Sequence, residues 1–128
     1  METREALVVD DEEGLLTLQA LFLSKMGMHA IPAATGEEAI RCLQEQTVSI
    51  VISDVRMPGS VDGLQLYDWV VKHRPELQKR FLFVSGDLMG VDFEKHFPDS
   101  TVASIQKPFT FKEYSSKIQQ LLEESSVT

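Results

Sequence analysis

At 128 residues the chain has the size of one domain, enough to bury roughly two thirds of the surface its unfolded form exposes. Its 43% hydrophobic and 25% charged content excludes a disordered or fibrous chain, and no apolar run approaches the roughly 20 residues that cross a bilayer. A net charge of −8, from 20 acidic and 12 basic residues, argues against nucleic acid or an anionic membrane as partner, since both demand clustered Lys and Arg.

Along the chain, short apolar runs alternate with segments of helical period. Ala6-Leu7-Val8-Val9 reads as a buried strand that stops at Asp10-Asp11. Leu15, Leu18, Phe22 and Met26 then recur at three or four residues, and Gly27 supplies a helix stop. Met28 to Ala34 forms a second strand whose Pro32 confines it to a sheet edge or bulge. Thr35 and Glu38 have the spacing of a capping box, and Ala39, Ile40 and Leu43 give the inner face of the helix that follows. Val48 to Ser53 is a third strand. After the loop Met57-Pro58-Gly59-Ser60 and Asp62-Gly63, a third helix carries Leu64, Tyr67 and Val71, and Pro75 ends it. Phe81 to Val84 is a fourth strand closed by Ser85-Gly86. A short helix holds Phe93 and Phe97, Val102 to Ile105 is a weaker fifth strand, and Thr110 with Glu113 opens a last helix bearing Tyr114, Ile118, Leu121 and Leu122. The tail from Ser125 to Thr128 is expected to fray.

Five strands alternating with five helices predict an α/β fold: a doubly wound parallel sheet with helices on both faces. The first, third and fourth strands are apolar enough to lie centrally, which leaves the second and fifth as edges. Strand order 2-1-3-4-5, the flavodoxin-like order, satisfies both conditions. One domain over 1–128 is expected, with its core at about 5–122. The N-terminal Glu2-Thr3-Arg4-Glu5 is unlike a secretory signal, and Cys42, as the only cysteine, permits no intrachain disulfide; both fit a cytoplasmic setting.

Ligands of such sheets bind beyond the carboxyl ends of the strands, where strand order reverses. Here that point lies between the first and third strands, whose ends carry Asp10-Asp11 and Asp54. Any one aspartate is as readily explained by a strand end or helix cap as by chemistry. Three together repel one another unless a hard divalent cation relieves them, and Mg²⁺ takes one or two carboxylates while keeping several waters. Lys107 and Ser85 end the neighbouring strands, from which an ammonium and a hydroxyl reach the same crevice; alone, each would pass for an ordinary surface or strand-end residue. Lys107-Pro108 is a candidate cis peptide.

Asp10-Asp11, Asp54 with Met57-Pro58-Gly59, Asp62-Gly63, Ser85-Gly86 and Lys107-Pro108-Phe109, in this order, resemble the receiver domain of response regulators over about Glu5 to Leu122. The flavour of the segments around Asp54 and Ser85 is similar to receivers attached to hybrid histidine kinases. The resemblance implies that Asp54 accepts a phosphoryl group from a phosphohistidine with Mg²⁺. Asp11 would ligate the metal directly, Asp10 chiefly through water, and the Arg56 backbone carbonyl would complete the protein's ligands. Lys107 would pair with the phosphoryl oxygens, Ser85 would be the reporting hydroxyl, and Gly86 would leave the donor a path. A histidine kinase or phosphotransfer protein upstream and a partner or output domain downstream follow from the same resemblance, with no direct nucleic-acid or membrane contact. The module would be a switch that assists its own phosphorylation and dephosphorylation rather than an enzyme.

Two departures stand out. The loop Met57 to Gly63 is one residue longer than the common pattern, and Ser104 stands where many members have Tyr or Phe. Arg56 and Asp87 flank the site and are candidates for tuning hydrolysis. An Asp-nucleophile, Mg²⁺-dependent phosphatase is the enzymatic alternative, but it wants a second Asp where Arg56 stands, and a cap region. An electron carrier on this sheet would meet repulsion between its phosphate and the acidic pair. A scaffold receiver that no longer takes phosphate is the remaining alternative. His29, His73 and His96 lack zinc-site spacing, Cys42 reads as a small hydrophobe, and Trp69, Phe93 and Phe97 read as packing residues.

Overall fold

The computed structural model describes residues 4–86, 91–97 and 102–125; Asp87 and the tail residues 126–128 lie outside them. Five strands, β1 (Glu5–Val9), β2 (His29–Ala33), β3 (Ile50–Ser53), β4 (Phe81–Ser85) and β5 (Ala103–Gln106), alternate with five α-helices. The helices are α1 (Glu13–Lys25), α2 (Gly36–Glu45), α3 (Gly63–His73), α4 (Val91–His96) and α5 (Phe111–Ser125). All neighbouring strands pair in parallel, in the order β2-β1-β3-β4-β5.

Burial explains this order. Every residue of β3 and β4, and all of β1 but Glu5, is buried, so these strands need cover on both faces. β2 and β5 are largely half-exposed and take the edges, which lets Pro32 pair opposite Val8 on a strand with one open side. Alternation then divides the core. Leu7, Val9, Val51, Phe81 and Phe83 face α2, α3 and α4, while Ala6, Val8, Ile50, Ile52, Leu82 and Val84 face α1 and α5.

Local signals set the helix ends. Gly27, at φ +76°, closes α1 in a Schellman motif, with Met28 N donating to Leu23 O at 2.9 Å and Gly27 N to Ser24 O at 3.0 Å. Thr35 Oγ1 accepts from Glu38 N at 3.1 Å, while Glu38 reaches back to Ala34 N, one residue before the cap. Thr110 and Glu113 form the reciprocal pair. A second capping box, Asp62 with Gln65, opens α3, and a 3₁₀ helix over Pro75–Arg80 joins α3 to β4.

The inward side of α1 differs from its sequence expectation. Its buried residues are Gln19 and Leu23, and the stripe Leu15, Leu18, Phe22 and Met26 is only half-buried along the flank. A helix apolar on most sides does not declare its inner face by pattern alone. Gln19 is admitted because Tyr114 of α5 donates its hydroxyl to Gln19 Oε1 at 3.0 Å, both side chains being buried.

Candidate functional site at the carboxyl ends of the strands

The crossover from β1 to β2 on one side and β3 on the other opens a crevice beyond the ends of β1 and β3. Asp10 N donates to Ala33 O at 3.1 Å and Asp54 N to Val9 O at 3.0 Å, so both aspartates continue the ladder by one residue. Their side chains therefore have fixed positions. One carboxylate oxygen from each of Asp10, Asp11 and Asp54 lies within 4.8 Å of the others. Asp10 and Asp54 are buried, at 1% and 9% exposure, while Asp11 is exposed at the mouth.

Lys107 bridges two of the three. Its Nζ stands 3.0 Å from Asp10 Oδ2 and 3.1 Å from Asp54 Oδ2, and Lys107 N donates to Ser85 O at 2.9 Å, which ties the end of β5 to that of β4. The Lys107-Pro108 peptide is cis. Burial of the ammonium works to lower its pKa, but the hydrogen bond to Asp10 and the charge and hydrogen bond of Asp54 together outweigh it, so the net shift is upward. Lys107 is thus held charged among the carboxylates.

Asp10 Oδ1 accepts from Glu12 N at 2.9 Å, which commits both Asp10 oxygens to protein donors. Asp54 Oδ1 accepts from Val55 N at 2.7 Å and its Oδ2 accepts from Lys107, so both of its oxygens also have protein donors. Ser85, the last residue of β4, is 3% exposed, and Arg56 is exposed two residues beyond Asp54. A Cβ placed on Gly86 would meet nothing within 4 Å among the described residues. Hard oxygen donors this close together suit a hard divalent cation such as Mg²⁺.

Every candidate site residue of the sequence therefore comes to this end of the sheet, except Asp87, which lies outside the described residues. Ser104 is half-buried on β5, in register with Phe83, and so shares its face. Aromatic bulk there comes instead from β4 and α4: Phe93 and Phe97 each lie 5.5 Å from Phe83. Sequence reasoning missed the glycine contacts beneath the site. A Cβ on Gly63 would overlap the Asp54 carbonyl and stand 2.9 Å from Val55 Cα, and Gly63 N donates to Val55 O at 2.9 Å. The signal was present in Asp62-Gly63, at the point where the loop returns to its own strand.

The other polar candidates stay outside the crevice. His29 pairs with Glu5 at 3.4 Å, His73 stacks on Trp69 at 4.6 Å, and His96 meets Asp68 at 2.8 Å. Cys42 is half-buried, with its thiol pKa raised by burial. No helix among the described residues is long and apolar enough to cross a membrane.

Comparison with known proteins matches residues 6–119 to the response regulator receiver domain. The transcriptional regulatory protein GlrR of Escherichia coli is 35% identical over 105 residues, covering 82% of this chain and 21% of that protein. The sensor kinase CckA of Brucella abortus is 32% identical over 120 residues, covering 91% of this chain and 12% of that one. The chain thus spans a minor part of these relatives' length. A CheY-like receiver domain protein from Methanospirillum hungatei superposes with a TM-score of 0.87 at 22% identity, over 98% of both chains.

Proposed function

The chain belongs to the response regulator receiver domains, the switch modules of two-component signalling, and from that premise we propose that Asp54 is its phosphoryl acceptor. The observation that carries this is the meeting of Asp10, Asp11 and Asp54 within 4.8 Å, with Lys107 bonded to two of them. Asp11, Asp54 and the Arg56 carbonyl would hold Mg²⁺, with Asp10, the most deeply buried of the three carboxylates, acting through water. When bound, the metal supplies positive charge for the phosphoryl oxygens.

In the transfer, an Asp54 carboxylate oxygen forms a bond to phosphorus as the donor's phosphorus–nitrogen bond breaks, and the imidazole leaves neutral with the proton on its other ring nitrogen. Lys107 exchanges a carboxylate partner for a phosphoryl oxygen, and the Ser85 hydroxyl turns to the new anion. Attack of water on phosphorus later restores the carboxylate and releases phosphate. A histidine kinase or phosphotransfer protein is the donor and an output domain or partner the reader, in the cytoplasm. Residues 1–128 serve as one receiver domain with its core at about 5–122.

The test is incubation with Mg²⁺ and acetyl phosphate, followed by mass spectrometry of the intact protein, for wild type and Asp54→Ala. Magnesium-dependent modification of wild type alone is expected. An unmodified but folded wild type would remove Asp54 as acceptor and leave a phosphate-independent scaffold.

A further inference from the structure

The loop from Arg56 to Asp62 is fixed at its base by Gly63, which lies against the Asp54 peptide. Its outer part rests on the first turn of α2. A Cβ on Gly36 would overlap the Val61 carbonyl and stand 2.6 Å from Val61 Cγ1, so the bare backbone of Gly36 is the surface on which Val61 sits. One residue on, the Glu37 carboxylate lies against Gly59; a Cβ there would be 2.9 Å from Glu37 Oε2 and 3.2 Å from Oε1. Gly59 has φ +98°, a conformation that only glycine adopts freely, so the loop bends where it meets Glu37. Glu37 Oε1 is buried and has no hydrogen-bond partner among the described residues, so packing rather than polar pairing defines this contact.

From these contacts we propose that Gly36 and Glu37 are positioning residues for the site. They form a stop on α2 that sets the β3–α3 loop, and through it the Arg56 carbonyl, at the distance the metal needs. The inference rests on the reading of Arg56 as a ligand given above. Helix chemistry alone does not ask for glycine at Gly36, whose φ is not positive. Alanine would favour the helix by up to about 1 kcal/mol. What excludes a side chain is the loop.

Calorimetric Mg²⁺ titration of wild type, Gly36→Ala and Glu37→Ala, each paired with metal-free thermal unfolding, tests this, with Asp11→Ala as control. Gly36→Ala forces the Val61 backbone to move, so it should unfold below the wild-type temperature and bind Mg²⁺ about tenfold more weakly, as supporting contacts behind metal ligands do. Glu37→Ala adds no volume, frees Gly59, and should weaken binding by about tenfold, the low end of such effects; it decides the matter if Gly36→Ala fails to fold. Wild-type affinity in the folded variants would overturn the inference. A wild type that binds no Mg²⁺, or binds it undiminished in Asp11→Ala, would instead overturn the metal site on which the inference rests.

Discussion

The two faces of the sheet are held by different physics. Toward α3 and α4 the packing is aromatic: Tyr67, Phe81, Phe83, Phe93 and Phe97 form a connected set of rings with centroids 4.9–6.0 Å apart. Toward α1 and α5 the sheet itself offers only aliphatic residues. The rings there, Phe22, Phe109, Phe111 and Tyr114, come from the helices and the loop before α5, and the buried Gln19–Tyr114 hydrogen bond joins α1 to α5. Ring packing is large in energy and prefers edge-to-face or offset arrangements; a buried hydrogen bond adds a directional polar contact. The sheet's own rings thus lie on the Ser104 face, and the buried polar pair lies on the other.

Phe83→Ala strikes the aromatic face at its centre, since Phe83 touches four other rings. A loss of about 3–5 kcal/mol is expected from urea denaturation, and a much smaller one would mean that the rings close over the gap. Tyr114→Phe probes the other face. It leaves Gln19 Oε1 buried without its donor and should cost about 1–3 kcal/mol, while adding Gln19→Leu should recover much of it. If the double variant is as unstable as the two single variants combined, the bond is not what locks this face.

Lys107 stands where both faces meet the site. Lys107→Met leaves Asp10 and Asp54 close together without their cation, and should cost about 1–2 kcal/mol in metal-free buffer, less than a fully buried pair because the ammonium is partly exposed. Saturating Mg²⁺ should restore stability by mass action. The smallest effect is alkaline. Burial raises the Tyr114 phenol above its ordinary 10.0, and the carboxylates raise Lys107 above 10.5 against the opposing effect of burial. In both, the folded-state pKa exceeds the unfolded one, so their contributions are complete below pH 10 and fall as pH rises through and beyond it. The urea midpoint should therefore drop as pH rises above about 10, and less steeply in Tyr114→Phe.

The strand order was legible because burial and composition agree: continuous apolar runs went to the centre, and Pro32 to an edge. The site was legible because strand ends are fixed by the order, which forces Asp10, Asp54, Ser85 and Lys107 to one side. What pattern could not reveal was satisfied by partners far along the chain. Gln19 looks like a surface residue until Tyr114, 95 positions on, supplies its donor. Gly36 looks like a poor helix former until Val61 is seen against it. The second capping box is spelled out in Asp62-Gly63-Leu64-Gln65, but the glycine in its second place makes the same residues look like a turn.

The span of the Lys107–Asp10 contact, 97 residues, has a consequence during synthesis. At about 5–20 residues per second, a ribosome takes roughly 5 to 20 s to travel from Asp10 to Lys107. Late in that interval β1, β3 and β4 are already made, while the cation that neutralises their acidic ends is not. Until Lys107 is added, Asp10 and Asp54 lack the ammonium that bridges them, and a free divalent cation is a group that could stand in for it.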